Sequence, residues 1–297
     1  MENNRKGLAL KYRPQSFDEV IGQDVMVQII KNAIKMDRIP NAYLLTGIRG
    51  VGKTTTARII AKAINCKNSE TPEKKCEGFC HCESITNSNH IDVLEMDAAS
   101  KTGIDDIREL IDSAKYYPTS AKYKVFIIDE VHMLSKQAFN GLLKTLEEPP
   151  PHLKFILATT EVKKIPLTII SRCQRFDLRR IKLEEMISFL KKIAEKEKAK
   201  INEKALLLIA KASEGSVRDA LSILDQAIST FNFLGEEITE KSVRTMLGIS
   251  DRSRIIDLVN FIIDGDKAKA LQDAQEIFDL GADPKLVLQD MSEVIYL

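Results

Sequence analysis

The most chemically specific stretch of the sequence is GIRGVGKT, from Gly47 to Thr54. Its spacing is G-x-x-x-x-G-K-[ST], with an apolar β-like run before it and a helical pattern after it. Gly47, Gly50 and Gly52 let backbone N–H groups wrap around phosphate oxygens, with Val51 and Thr55 in the same cradle. The helix that follows aims its N-terminal dipole at the same anion. In such a loop Lys53 reaches the β- and γ-phosphates and Thr54 ligates Mg²⁺. The ligand read from these residues is ATP with Mg²⁺. The bland alternative is an ordinary Gly-rich strand-to-helix turn; against it, the context that the motif requires is also present.

A second constellation is KVFIIDEVH, Lys124 to His132. An apolar strand delivers Asp129 to its C-terminal end, where open α/β sheets bind ligands. Asp129 would hold Mg²⁺ through water, and Glu130 would orient and activate the attacking water. An Asp-Glu pair favours hydrolysis over mere nucleotide holding. A third stretch, LATTEVKKIPLTIISRCQRF, contains Thr159 and Thr160 at the end of another apolar run. Their hydroxyls could bond the γ-phosphate or water. Arg172 lies just before the last β-run. An arginine beside developing phosphoryl charge is worth about 10³–10⁵ in rate, although a loop arginine is more often a surface ion pair.

Four of the five cysteines crowd between Cys66 and Cys82: Cys66, Cys76, Cys80 and Cys82. In a reducing compartment such a cluster reads as a metal site rather than a disulfide framework. Four thiolates would close a structural Zn²⁺ site, with free thiols on a surface loop as the alternative. The C-x-C pair of Cys80 and Cys82 is awkward around one tetrahedral ion, so His81 could replace one cysteine. Cys173 reads as a small buried residue.

These residues need elements to position them. Short apolar runs lie at Ala42–Thr46, Ile91–Met96, Lys124–Asp129, Lys154–Thr159 and Arg175–Leu178. Helical patterns fall between them, including Thr54–Asn65, Asp105–Lys115 and Lys136–Glu147. Unbroken apolar strands alternating with helices predict a parallel α/β sheet with both faces covered. After Arg180 strand signals stop. Leu183–Lys198, Glu203–Ala212 and Ser216–Thr230 show helical spacing, with Ser216 and Asp219 placed like a capping box. The charged run Lys191–Lys200 reads as a solvated helix face. Further helices are expected from near Thr239 and over Arg252–Asp264, Asp266–Leu280 and Pro284–Tyr296. The chain ends on an apolar helical pattern without a stop signal, so this last domain is expected to be incomplete.

Composition sets the bounds. A chain of 297 residues suggests two or three domains, and 44% hydrophobic content suffices for real cores. With 44 Lys+Arg against 43 Asp+Glu, any DNA contact must come from a local patch or arise on assembly. The N-terminus lacks a signal-peptide apolar core and no run approaches membrane-span length, so a soluble, cytoplasmic protein is expected.

The block RP-x-x-F-x-x-V-x-GQ at Arg13–Gln23, the phosphate loop, DEVH, LATTE, SRC and GSVRDAL occur in one order. Together they resemble the AAA+ ATPases of the clamp-loader group, and within it the gamma/tau family of the bacterial DNA polymerase III. The resemblance runs from about Leu8 to Thr230 and continues more weakly to the end. It implies an AAA+ P-loop domain with a Rossmann-like parallel sheet (residues 1–181, zinc insertion at about 66–82), a three-helix lid (182–238) and part of an all-helical collar (239–297).

The resemblance also implies roles. Tyr12, Arg13, Pro14, Ile21 and Gly22 fall where adenine is enclosed. Thr160 matches the sensor-1 threonine. Arg172 matches an arginine finger acting on ATP in the neighbouring subunit. Arg218 matches the sensor-2 arginine, in a helix first turn where the dipole disfavours a cation. Lys101 and Thr102, in DAASKTG, match positions facing a DNA channel. Related chains carry the last three cysteines as C-x-x-C-x-x-C; here Phe79 stands where the middle cysteine is expected, which leaves the ligand set open.

The implied activity is ATP hydrolysis that loads a ring-shaped clamp onto primer–template DNA, with no polymerase chemistry. The implied partners are delta and delta prime loader subunits, other gamma/tau copies, the beta sliding clamp and the DNA backbone. Polymerase and helicase would join through regions beyond Leu297. The rival readings are a non-hydrolysing structural subunit such as delta prime and another DNA-remodelling AAA+ motor. Intact Lys53, Thr54 and Glu130 argue against the first, the cysteine cluster and SRC against the second.

Overall fold

The computed structural model describes residues 7–66, 80–101, 103–231, 237–248, 252–279 and 283–296. Five strands form one parallel sheet: β1 (Ala42–Thr46), β2 (Val93–Asp97), β3 (Lys124–Asp129), β4 (Leu153–Thr159) and β5 (Gln174–Asp177). Their order is β2-β3-β4-β1-β5. The three central strands are buried over almost their whole length.

Strand alternation divides the apolar residues between two cores. Tyr43, Leu45, Val125, Ile127, Ile156 and Ala158 face one core with α2 (Asp24–Lys35) and α3 (Lys53–Asn65). Ala42, Leu44, Phe126, Ile128, Phe155 and Leu157 face the other with α5 (Ile104–Ala114) and α6 (Lys136–Glu147). Each fully buried Leu, Ile or Phe contributes about 1.5–3 kcal/mol. A core on both faces is why the runs read as continuously apolar. Two short helices precede α2 and α5, namely α1 (Leu8–Lys11) and α4 (Cys82–Thr86). A third, α7 (Leu167–Ile170), lies before β5.

Two local readings differ from expectation. Helix α2 was not anticipated, although Met26, Val27, Ile30 and Ile34 recur at helical spacing and are buried. Strand β2 starts at Val93 rather than Ile91, which is exposed. The cause is Asp92. Its buried carboxylate accepts backbone N–H bonds from Thr119 (2.7 Å), Ser120 (2.8 Å) and Ala121 (3.0 Å), and the Ser120 hydroxyl at 3.1 Å. Residue 92 thus organises the turn before β3 instead of extending β2.

By contact density the chain forms two units: residues 1–185 with 215–219, and residues 186–214 with 220–297. In the second, α8 (Leu183–Lys196), α9 (Glu203–Ala212) and α10 (Val217–Phe231) bury Met186, Leu190, Ile193, Leu206, Ile209, Leu221 and Leu224. Asn202 caps α9, and Thr239 caps α11 (Glu240–Leu247). Helices α12 (Arg252–Ile263), α13 (Lys267–Asp279) and α14 (Pro284–Tyr296) share a small core of Ile255, Leu258, Ile277 and Val287. No described helix is long and apolar enough to cross a membrane.

The Asp92 knot gives a stability test. Burial alone would raise its pKa, but the backbone donors and the Ser120 hydroxyl outweigh burial and hold it below the ordinary carboxylate value. A depressed carboxylate stabilises fully above its unfolded pKa of about 4, and that contribution fades as pH falls toward the folded value. Asp92→Ala should cost about 3 kcal/mol at pH 7, since it strands buried donors. In urea melts the gap between variant and parent should stay constant above about pH 5 and narrow below about pH 4.

Candidate functional site

The loop between β1 and α3 leaves the sheet at the C-terminal end of β1, which lies between β4 and β5. Two glycines are structurally required there. Gly47 has φ +148°, and a Cβ on it would lie 2.8 Å from the Leu178 carbonyl oxygen. Gly50 has φ +76°, and a Cβ would meet the Ser216 hydroxyl at 2.1 Å. That crowding arises because residues 215–219 pack on the loop: the Arg218 N–H donates to the Gly50 carbonyl at 3.2 Å. The Asp219 N–H donates to Ser216 Oγ at 3.3 Å, half of the expected capping box.

Lys53 opens α3 and is 5% exposed. Its ammonium curls over the loop, donating to the carbonyls of Gly47 (3.1 Å) and Ile48 (3.0 Å). Burial lowers its pKa, opposed by the nearby carboxylates of Glu130 and Asp129. The next residue, Thr54, donates its hydroxyl to the Asp129 carboxylate. A hydroxyl and a carboxylate side by side are hard oxygen donors of the type Mg²⁺ takes while keeping several waters. The residues present therefore fit that ion, and Thr54 and Asp129 would hold it.

Glu130 follows in the left-handed region, with φ +45° and ψ +44°. For a non-glycine residue this costs about 1–2 kcal/mol. The turn is held by the Glu130 N–H donating to its neighbour's Asp129 carboxylate at 2.9 Å. Beyond it, Glu130 Oε2 accepts from the Thr160 N–H (3.2 Å) and hydroxyl (3.0 Å) at the end of β4. Loop, lysine, acid pair and Thr160 thus share one edge of the sheet.

Arg13 joins them through α3, its Nε donating to Thr55 Oγ1 at 3.0 Å. Burial and then the Arg58 charge lower its pKa, with Arg218 adding to the effect. Gly22, φ +70°, lies against the 179–181 segment, where a Cβ would meet Ile181 Cδ1 at 2.8 Å. The Gln23 amide fixes this by pairing with the Arg179 carbonyl (2.9 Å) and N–H (3.2 Å). Tyr12, Pro14 and Ile21 lie on the segments around α1 and before α2.

Arg172 turns elsewhere. It pairs with Glu147 on α6 at 2.6 Å and donates to the Thr168 carbonyl at 2.7 Å and Ser171 Oγ at 3.4 Å. It is not bonded to the phosphate loop or acid pair of its own chain. Beside it, burial pushes the Cys173 thiol up to about 12. Lys101 is exposed in the turn after β2, and its N–H donates to the Asp97 carbonyl at 3.1 Å. Thr102 lies outside the described residues, as does Cys76.

The sulfurs of Cys66, Cys80 and Cys82 converge. Their separations are 3.8 Å (66–80), 3.8 Å (66–82) and 3.2 Å (80–82). Ligands about 2.3 Å from a tetrahedral zinc lie about 3.8 Å apart; both separations from Cys66 match that spacing, and the Cys80–Cys82 pair is closer. The chain turns at His81, the N-cap of α4, and the Cys80 and Cys82 sulfurs lie on the same side of that turn. His81 itself faces His90, ring centroids 4.7 Å apart, rather than the sulfurs.

The sequence reading missed three participants. Ser216 is buried against Gly50, Arg58 pairs twice with Glu95 on β2 (2.6 and 2.7 Å), and His132 is buried beside Glu130. Of these, His132 and Ser216 sat inside motifs already singled out, but neither was given a role at the site.

Known proteins match along nearly the whole chain. Residues 22–182 fit the family described as DNA polymerase III, delta subunit. Residues 186–232 fit the DNA polymerase III clamp loader subunit ATPase lid domain, and residues 238–297 fit domain III of the DNA polymerase III subunits gamma and tau. The Buchnera aphidicola (Baizongia pistaciae) DNA polymerase III subunit gamma is 46% identical over 260 residues, 87% of this chain and 69% of that one. This chain belongs to the gamma/tau family of DNA polymerase III clamp-loader subunits. The Bacillus subtilis tau subunit is 45% identical over 280 residues, covering 94% of this chain but 49% of that protein. The chain thus spans about half the length of that family member. Among solved structures, the Thermotoga maritima RuvB Holliday junction branch migration motor superposes with TM-score 0.60 at 22% identity, over 85% of this chain and 79% of that one. At that identity the likeness shows the fold alone: an AAA+ parallel-sheet domain, then a three-helix lid and a further helical domain.

Proposed function

We propose that this chain is the ATPase motor subunit of a DNA replication clamp loader. The observation that carries the reading is the meeting of Lys53, Thr54 and Asp129 at one sheet edge, with Glu130 held beside them by Thr160. Backbone N–H groups of Gly47–Gly52 and the start of α3 would bind the triphosphate, with Lys53 on its β- and γ-oxygens. Mg²⁺, held by Thr54 and Asp129, would neutralise charge on the phosphate oxygens. Glu130 would orient water in line with the γ-phosphorus and take its proton. The water O–P bond forms, the bond to the β–γ bridging oxygen breaks, and ADP and phosphate leave. Thr160 positions Glu130, and Arg218, beside Gly50, senses the γ-phosphate. Tyr12, Arg13, Pro14, Ile21 and Gly22 enclose adenine.

Arg172 is bonded away from its own loop, which supports a finger that serves a neighbouring copy. The partners are then delta, delta prime, further gamma/tau copies and the beta clamp, around primer–template DNA whose backbone meets Lys101 and Thr102. Polymerase and helicase contacts belong to the longer form of the family. The division into residues 1–181, 182–238 and 239–297 follows the same reading. Zinc on Cys66, Cys80, Cys82 and Cys76 would brace the segment leaving α3, as the three converging sulfurs suggest.

In a loader reconstituted with its partner subunits, Arg172→Ala should keep ATP affinity yet lose about 10³-fold or more of DNA-stimulated phosphate release. Unchanged release would remove Arg172 from the mechanism. Glu130→Gln should bind ATP and retain it unhydrolysed, checked by single-turnover release of labelled phosphate. For the metal, elemental analysis of the purified chain should find one zinc per molecule, falling sharply in Cys80→Ser. A zinc-free chain whose melting ignores a strong chelator would contradict the site.

A further inference from the structure

We propose that His132 is a positioning residue for Glu130, a role that rests on the assignment of Glu130 to hydrolysis. His132 lies in the 3₁₀ turn Val131–Met133, and its side chain is only 6% exposed. Nδ1 is 3.1 Å from Thr159 Oγ1 and 3.4 Å from Glu130 Oε2. Nε2 is 3.4 Å from Glu161 Oε1, whose carboxylate also pairs with Lys164 at 2.8 Å. The ring therefore sits between two carboxylates and a fully buried hydroxyl.

A proton on Nδ1 makes the arrangement consistent. It is shared between the Thr159 hydroxyl and Glu130 Oε2, while Thr159 Oγ1 also accepts the Glu161 N–H at 3.0 Å. All the contacts on the Glu130 carboxylate fall on one oxygen: Oε2 faces the Thr160 N–H, the Thr160 hydroxyl and His132 Nδ1. Among the described residues none falls on Oε1. That division gives Oε2 to the protein and leaves Oε1 to accept from a water. Thr160 alone approaches from β4. His132 approaches from the turn that carries Glu130, so the two clamp the carboxylate from separate elements. The left-handed backbone of Glu130 is what lets a residue two positions on reach back to it.

Asparagine and glutamine separate this role from packing. The Asn amide occupies the Nδ1 position of a histidine, and the Gln amide reaches the Nε2 position. In the reconstituted, DNA-stimulated loader, His132→Gln should lower kcat about 10- to 100-fold, as for a misplaced reacting group, with KM for ATP within about twofold. His132→Asn should restore most of kcat. Glu130→Gln is run alongside: wild-type turnover there refutes the hydrolytic assignment itself. Inactive Glu130→Gln, with His132→Asn and His132→Gln indistinguishable, refutes the positioning role and leaves His132 as core filling. If a 132 variant fails to fold, Thr159→Val tests the same clamp from the other side of Nδ1. It should lower kcat with KM unchanged, and normal kcat would overturn the proposal.

Discussion

The hydroxyl of Thr54 and the carboxylate of Asp129 touch across 75 residues of chain, and the parallel sheet makes that contact possible. Thr54 lies in the first turn of the helix after β1, and Asp129 ends β3, with β4 between those strands. Because every pairing is parallel, all three strands release their C-terminal residues at the same edge. Thr160 therefore arrives beside Glu130, and the β1 loop beside both. One antiparallel strand in this group would send its functional residues to the opposite edge.

Local energetics at that edge run against the rest of the fold. Elsewhere, strands and helices bury apolar faces, and Ser135, Asn202 and Thr239 cap helix starts. Here a lysine is buried, a glutamate adopts a left-handed backbone, and two glycines take conformations or contacts a side chain would block. Each departure is a cost that the double core on the two faces of the sheet can offset. Buried lysines and left-handed residues also occur elsewhere, at Lys124, Lys154, Asp37 and Glu214; here a buried lysine, an acid pair and glycines stand together around one loop, as a strongly anionic ligand with a cation requires. The buried ammonium and the two acids also balance one another: burial weakens the lysine's hold on its proton, and the carboxylates strengthen it.

Much of this was legible in the residues. Four of five strands had the expected limits within one residue, since a doubly covered strand reads as an unbroken apolar run. The convergence of the glycines, Lys53, Thr54 and the acid pair at one sheet edge was legible because the motif spacing demands a strand before it and a helix after it. Other features were not. Asp92 looked like part of a strand because one-dimensional patterning does not reveal three backbone donors from residues 119–121. His132 looked like the tail of a motif because its partners, Thr159 and Glu161, come from another strand end. Each miss is a tertiary contact between segments that carry no mutual signal in sequence.

The central claim is that the β1 loop, Lys53, Thr54 and Asp129 form a single site for a magnesium-bound triphosphate. Calorimetric titration of the purified chain with ATP, with and without Mg²⁺, tests it most directly, using Lys53→Ala and Asp129→Asn as comparisons. If the site is one, the parent chain binds ATP, Lys53→Ala loses about 100-fold or more in affinity, about 3 kcal/mol, and Asp129→Asn loses the Mg²⁺ dependence. Equal affinity in all three, or no binding by the parent at millimolar ATP, would contradict it.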